Sequence, residues 1–460
     1  MKKRMVLLMA GCTAFVGLCV GEPLGAAYEG QWNAALNAAI DARIEQHRKG
    51  DAVVEGFAPG ETVKVDQISS AFQFGVNIFN FDQFGDDVEN ARYRAAITNL
   101  FNAATVGFYW KNFEPQRGRP RYVGGEHDTL AFWRSVRSNP WPYNEWRRPA
   151  PDKVLAFLHE HGLSVHGHVL IYPQYHPQWL QKLASKEEIA ALYRRRIEDF
   201  AAYYGDTIAQ WDVVNESVNR QSTPENVNDD VFWNNPKLNI PPDMTYRCYT
   251  WARPAFPANV KLAINDSWRT IYVPFIRKLQ SRGAPIDVTG IQMHLFTPAV
   301  ALKIARGEPC SHNNTSWAPA DQLKMFEELD RPGLPIHVSE ITIPSPRGQK
   351  GVTDAEADAI QARMMRDNYR LWFSWPSVYR ITYWNLVDDC GAPGERMSSG
   401  LFNRDLTIKP AGETLRRLVH EEWATHLTVR ADAKGVVRFR GFKGAYTLTG
   451  GQATRVVRVR

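Results

Sequence analysis

Cysteine is scarce in this 460-residue chain, which holds Cys12, Cys19, Cys248, Cys310 and Cys390 and no others. Five at these spacings make neither the disulfide framework of a small secreted domain nor a paired Cys/His zinc set. An excess of one charge is also missing. Lys and Arg number 55 against 49 Asp and Glu, a formal +6 that falls to about +4 without the N-terminal Lys2, Lys3, Arg4 and Glu22, too mild and too scattered for a nucleic-acid-binding protein. Past the N-terminus no run approaches the ~20 apolar residues of a membrane helix. Hydrophobic residues at 44% and charged residues at 23% fit an ordinary soluble globular chain.

Aromatics are what the chain has in plenty, with 15 Trp and 17 Tyr. Exposed rings make platforms for sugars, although large aromatics more often fill cores. The N-terminus "MKKRMVLLMAGCTAFVGLCVGEPLGAA" has a basic start, an apolar stretch and small residues at Gly25-Ala26-Ala27, the pattern of a secretory signal cleaved near Ala27. A lipoprotein site at Cys12 fits less well, because the apolar segment before it is very short. The mature protein is thus expected to be secreted or periplasmic. Cys248, Cys310 and Cys390 would remain, enough for one bridge at most.

After the signal, Trp32, Leu36, Ala39, Ile40 and Ile44 repeat at helical spacing up to Gly50. Strand-like runs "AVVEGF" and "ETVKVDQI" follow. From about residue 95 to 420, β-rich runs alternate with helical patterns, the signature of βα units on a parallel sheet. The strands are "AATVGFYW", "LSVHGHVLIY", "IAQWDVVN", "VKLAIND", "DVTGIQMHLF", "PIHVSEITI" and "YRITYWNLV", and "AFQFGVNIF" before them makes eight, the number that closes a (β/α)8 barrel. Capping boxes are expected at Ser185/Glu188 and Thr353/Glu356. Two polar stretches, one after Glu216 and one after His294, follow strands and are candidate walls of a cleft.

Beyond residue 424, alternating Val and Arg with glycine turns reads as a small β unit, too short to stand alone and expected to pack with the N-terminal strands. The expected organisation is a signal at 1–27, a helix and strand segment at 28–75, an α/β (β/α)8 TIM barrel at 76–424, and a C-terminal β segment at 425–460 that forms an accessory β unit with the N-terminal one.

Such barrels place chemistry at the C-terminal ends of their strands. Glu216 ends the fourth strand and Glu340 lies at the end of the seventh. Two carboxyls facing each other across the mouth are what glycoside hydrolysis needs, one protonated and one ionised. His168, Asn265, Gln292, His294 and Trp384 occupy other strand ends. His166 with His168, and Gln292 with His294, share faces, so a metal-dependent hydrolase built on His166, His168 and His294 is a rival reading that predicts sensitivity to chelators. No third and fourth ligand stands out beside either pair.

"WDVVNE", "GHVL", "ND", "GIQMH", "HVSEITI" and "YWNLVDD...SGLFNRDLTIKPAGETL" resemble the signature segments of the family 10 glycoside hydrolases, chiefly endo-β-1,4-xylanases, from roughly residue 70 to 418. The resemblance implies a retaining double displacement with Glu216 as acid/base and Glu340 as nucleophile. It implies further that Asn215 bonds the 2-hydroxyl of the cleaved sugar, that His294 holds Glu340 ionised, and that His168 and Gln292 line the same subsite; Trp384, at its own strand end, is a further candidate for substrate binding. On strand two the family usually reads Thr-Pro-Glu-Asn-x-Met-Lys-Trp, whereas "TVGFYWKNF" has Gly107 and Phe108 at the Glu and Asn places and keeps Lys111 as a substrate contact. Phe108, Tyr109 and Trp110 offer ring stacking there, or core filling. Tyr172-Pro173 stand where a Trp-His pair is common, and Gly391-Ala392 where a Ser-Trp is. A lost aromatic wall could then come from Trp233, Trp268 or Trp317.

No metal or organic cofactor is expected. The expected partner is a plant or algal polysaccharide, with no nucleic acid and no membrane. Alternatives are the same machinery on a different β-glycan or small β-glycoside, and a non-catalytic carbohydrate-binding barrel.

Overall fold

The computed structural model describes residues 24–136, 148–183, 185–218, 239–240, 242–312, 315–391, 395, 398–451 and 453–460. Most of the signal segment, most of the polar stretch after Glu216, Trp233 and Ala392 lie outside them. Eight strands form a closed parallel barrel: β1 Gln73–Asn77, β2 Ala103–Gly107, β3 Ser164–His168, β4 Gln210–Asn215, β5 Lys261–Ser267, β6 Val288–His294, β7 Ile336–Thr342 and β8 Val378–Tyr383. Each of the eight strand-type runs became one of them, and β8 pairs back onto β1 through Arg380 and Gln73. The expected barrel boundary at residue 76 falls inside β1.

The strands alternate between a polar inward face and an apolar outward one. On β4, Asp212 points in toward His168, while Trp211 points out against Phe108, Phe200, Tyr204 and Phe256. Gly167 on β3 makes room for that ring, since a Cβ there would lie 2.3 Å from it. Helices such as Asp87–Leu100, Lys186–Tyr204 and Asp354–Ser374 cover the outside. Their buried stripes, for example Ile189, Tyr193, Ile197 and Phe200, join the strands in one continuous core. Among the described residues no helix is long and apolar enough to cross a membrane.

Thr353 and Glu356 form the expected capping box in full. At Ser185 half of it forms: the Ser185 hydroxyl accepts from the Glu188 N–H, but the Glu188 carboxylate turns away to pair with Arg117. The N-terminal helical pattern is broken in two. Trp32 ends the helix Ala26–Gln31, and Asn33 caps a second helix, Ala34–Arg48, in which Ile40 and Ile44 are buried but Ala39 is exposed. Gly25 donates its N–H to Ala305 O at 2.8 Å, so the residues around the expected cleavage junction sit against the barrel.

Both ends of the chain supply the accessory β unit. Lys49–Val54 pairs antiparallel with Val437–Phe442, and Thr62–Ser70 lies between His426–Arg430 and Gly444–Gly450, with Ala453–Val459 outermost. Val63, Val65, Val437, Phe439, Tyr446 and Leu448 form its own small core. No disulfide joins Cys248, Cys310 and Cys390.

Candidate active site

β4 ends at Asn215, and Glu216 follows with a left-handed backbone, φ 53°. Its N–H still donates to Asn265 O on β5 at 2.9 Å, which ties the turn to the barrel rim. The pairing of β4 with β5 slips by one residue between Asp212 and Val214. That slip breaks the two-residue alternation and sends Asn215 inward, the same way as Asp212. β7 slips in the same manner against β6 between Val338 and Glu340, so Ser339 and Glu340 both face the interior.

Two side-chain amides join these ends. Gln292 Nε2 lies 3.2 Å from Glu216 Oε1, 3.0 Å from Glu340 Oε1 and 3.4 Å from Asn215 Oδ1. Asn265 Nδ2 donates to Glu340 Oε1 at 2.6 Å and to Asn215 Oδ1 at 2.8 Å, while its own Oδ1 accepts from Ser339 Oγ at 2.5 Å. The second Glu340 oxygen meets His294 Nε2 at 3.0 Å, and His294 Nδ1 is steadied by Thr342 Oγ1 at 2.8 Å. The second Glu216 oxygen accepts from Gln174 Nε2 at 2.8 Å.

Burial and the negative charge of Glu340 push the Glu216 carboxyl above its ordinary pKa, against hydrogen bonds from Tyr172 and Gln292 that favour the charged form. A third carboxyl, Asp266 on β5, is pushed up to about 7 by burial and by the charge of Glu216, against bonds from the Val218 and Ser267 N–H groups. Below the pair, Asp212 Oδ2 lies 2.7 Å from His168 Nδ1 and 3.1 Å from His166 Nε2. Burial disfavours charge on Asp212, but the two histidines outweigh it and hold the carboxyl down to about 2. On His168 burial is likewise outweighed, by Glu340 and Asp212, and the pKa is raised. On His166 burial wins, and the pKa is lowered. Among the described residues no three His, Cys, Asp or Glu side chains are placed to hold a metal ion. His166 and His168 share Asp212 instead.

Trp384 packs edge-on to His168 at 5.3 Å and to His294 at 5.7 Å. Together with Phe79, Tyr109 and Tyr172 it makes an apolar wall beside the carboxylates. With this constellation in view, the family model for Glycosyl hydrolase family 10 matches residues 67–417. The chain belongs to glycosyl hydrolase family 10. It is 26% identical over 284 residues to endo-1,4-beta-xylanase A of Thermotoga neapolitana, covering 58% of this chain and 25% of that protein. It is 25% identical over 291 residues to endo-1,4-beta-xylanase B of the same organism, covering 61% and 76%. The chain thus spans a quarter of the first relative's length and about three quarters of the second's. Among solved structures, xylanase 10B from Thermotoga petrophila RKU-1 in complex with xylobiose shares the fold, with a TM-score of 0.56 at 20% identity over 76% of this chain and 95% of that one.

Of the expected site residues in this family 10 barrel, Glu216, Glu340, Asn215, Gln292 and His294 meet in one hydrogen-bonded group, with His168 and Trp384 at its edge. Lys111 is not brought to them. It is exposed on the short helix Trp110–Phe113 and lines a cleft of about 500 Å³ with Pro115, Gln116, Arg119, Arg121, Pro177 and Gln178, none of which bonds either carboxylate. The aromatic run after β2 divides. Phe108 is fully buried against Trp211, and Trp110 is buried against His176, Trp179 and Tyr193. Tyr109 alone of the three faces the site, 5.2 Å from His168. Trp317 is buried in the core against Trp372 and is no wall, whereas Trp268 is half-buried against the core. Tyr172, noted in the sequence only as standing in place of a Trp, hydrogen-bonds Glu216, and Gln174, which sequence reasoning missed, is brought over Glu216 by the short helical turn Pro173–Tyr175. No periodic signal marks such a turn.

Proposed function

We propose that the chain hydrolyses β-1,4-xylosidic linkages of xylan-type polysaccharide with retention of configuration, by double displacement. The observation that carries this reading is the Gln292 amide, whose one nitrogen reaches an oxygen of each carboxyl group at 3.2 and 3.0 Å. The two oxygens cannot lie farther apart than those distances together. That is less than the ~6.5 Å at which the inverting range begins, and it supports the retaining geometry in which the second carboxylate acts as nucleophile.

Glu216 gives its proton to the glycosidic oxygen while the Glu340 carboxylate attacks the anomeric carbon; the C–O bond breaks, the leaving sugar departs as an alcohol, and a glycosyl ester on Glu340 remains. Esterification removes the Glu340 charge that raised the Glu216 pKa. Glu216, now a carboxylate, takes a proton from water as that water attacks the anomeric carbon and frees Glu340. Asn215 Oδ1 is taken by Asn265 and Gln292, which leaves Nδ2 to donate to the 2-hydroxyl of the sugar. Xylan as the substrate is supported by the names of the relatives. A different β-glycan is the second reading, favoured by Gly107 and by the burial of Phe108, which leave β2 without a polar side chain at those places. Export follows from the N-terminal signal pattern.

Incubation with xylan and a panel of plant and algal β-glycans, reading released oligosaccharides, tests the proposal. Product from xylan that Glu340→Ala abolishes is expected. Absence of product from every β-glycan, or equal product from the variant, overturns it.

A further inference from the structure

One arginine beside the carboxylates has no part in this reaction. Arg148 is 7% exposed, with its guanidinium carbon 3.6 Å over the Phe79 ring and 5.0 Å from the Tyr109 ring. Those rings belong to the wall that includes Tyr172 and Trp384. Gly107, the last residue of β2, makes space for the arginine: a Cβ there would lie 3.1 Å from Arg148 Cδ and 3.2 Å from the Tyr109 ring.

A buried guanidinium is costly unless carboxylates or carbonyls satisfy it. Arg196, also buried, shows the usual solution, donating to the carbonyls of Leu170, Phe108 and Val169. Arg148 has no such set. Among the described residues no carboxylate pairs with it, and its buried Nε has no hydrogen-bond partner. Glu340 and Glu395 both act on the Tyr109 hydroxyl, yet neither forms an ion pair with Arg148. Stacking on Phe79 occupies the flat face of the guanidinium and leaves its edge, where the donors are, for a planar anion that can take two parallel bonds.

We propose that Arg148 is a binding site for the carboxylate of a uronic acid in the substrate, so that the preferred polysaccharide is an acidic xylan-type glycan. This deepens the hydrolase reading and rests on it. A sulfate ester can take the same two parallel bonds and is the competing anion that the test separates.

The test measures kcat/KM of the intact protein on a glucuronic-acid-bearing xylan and on the same xylan after carboxyl reduction, which removes the charge and keeps the sugar. Unbranched xylan and a sulfated xylan are run beside them. The wild type is expected to favour the acidic xylan over its reduced form by about tenfold or more. In Arg148→Gln that ratio is expected to approach one, and in Arg148→Lys, which keeps the charge without the fork, to fall between. Equal wild-type rates on the acidic and reduced forms overturn the proposal without any variant, as does a sulfated xylan preferred over the carboxylated one. A ratio unchanged in a folded Arg148→Gln overturns it too. Hydrolysis of all four glycans at one rate removes the Arg148 site alone, whereas hydrolysis of none removes the hydrolase reading with it.

Discussion

Glu216 sits at φ 53°, a backbone that costs a non-glycine residue on the order of 1–3 kcal/mol. The rim holds it there through its own N–H on Asn265 O and through the amides of Gln174 and Gln292 on its carboxylate. The acid must be protonated to act, and its pKa is raised by burial and by Glu340, so activity should fall as pH rises through that raised value. The Tyr172 hydroxyl bond favours the charged form. Removing it in Tyr172→Phe therefore raises the pKa further, and the alkaline limb of the kcat/KM profile is expected to move to higher pH. An alkaline limb that stays put or moves down contradicts the assignment of Glu216 as the acid. Glu216 and Glu340 were legible in the sequence as a pair: either acid alone at a strand end is as readily a solvated side chain, but two at one barrel mouth match what glycoside hydrolysis needs. Gln174, Arg148 and the facing of Tyr172 were not, since a polar side chain on a loop carries no periodicity to say which way it faces.

The slips in β4 and β7 decide which residues enter the bowl. With strict alternation, inward Asp212 would leave Asn215 facing out, and inward Ser339 would do the same to Glu340. A one-residue slip reverses each. A sequence pattern with period two cannot show this, so the existence of the strands was legible and the facing of their last residues was not. Capping divides in the same way: among the described residues the Glu356 carboxylate bonds Thr353 alone, but Glu188 is drawn off by Arg117 from another part of the chain. Element packing is close where β3 passes the outward ring of β4. Gly167→Ala would place a methyl against Trp211, with an expected loss of about 1–3 kcal/mol in equilibrium denaturation. A variant as stable as the parent would contradict this packing.

The whole molecule is a barrel with a second, smaller core built from both ends of the chain. The accessory unit was foreseen from alternating Val and Arg, because thirty-odd residues of strand pattern need partners to bury one face. The sheet order was not foreseen, since pairing between distant strands leaves no mark on either. Tyr446 is fully buried there and donates to Phe442 O at 2.5 Å. Tyr446→Ala should cost about 3 kcal/mol or more, read as a lowered Tm, while the carboxylate pair stays intact. A Tm equal to that of the parent would mean that this core does not carry the unit. The catalytic account itself is tested most directly on the mass of the intact protein. Incubated with a 2-deoxy-2-fluoro β-xylobioside bearing a good leaving group, which slows the second displacement more than the first, the wild type should gain the mass of one fluoroxylobiosyl group, and peptide mapping should locate it on Glu340. No added mass while the same protein turns over xylan, or a label on any other residue, would contradict a double displacement through Glu340.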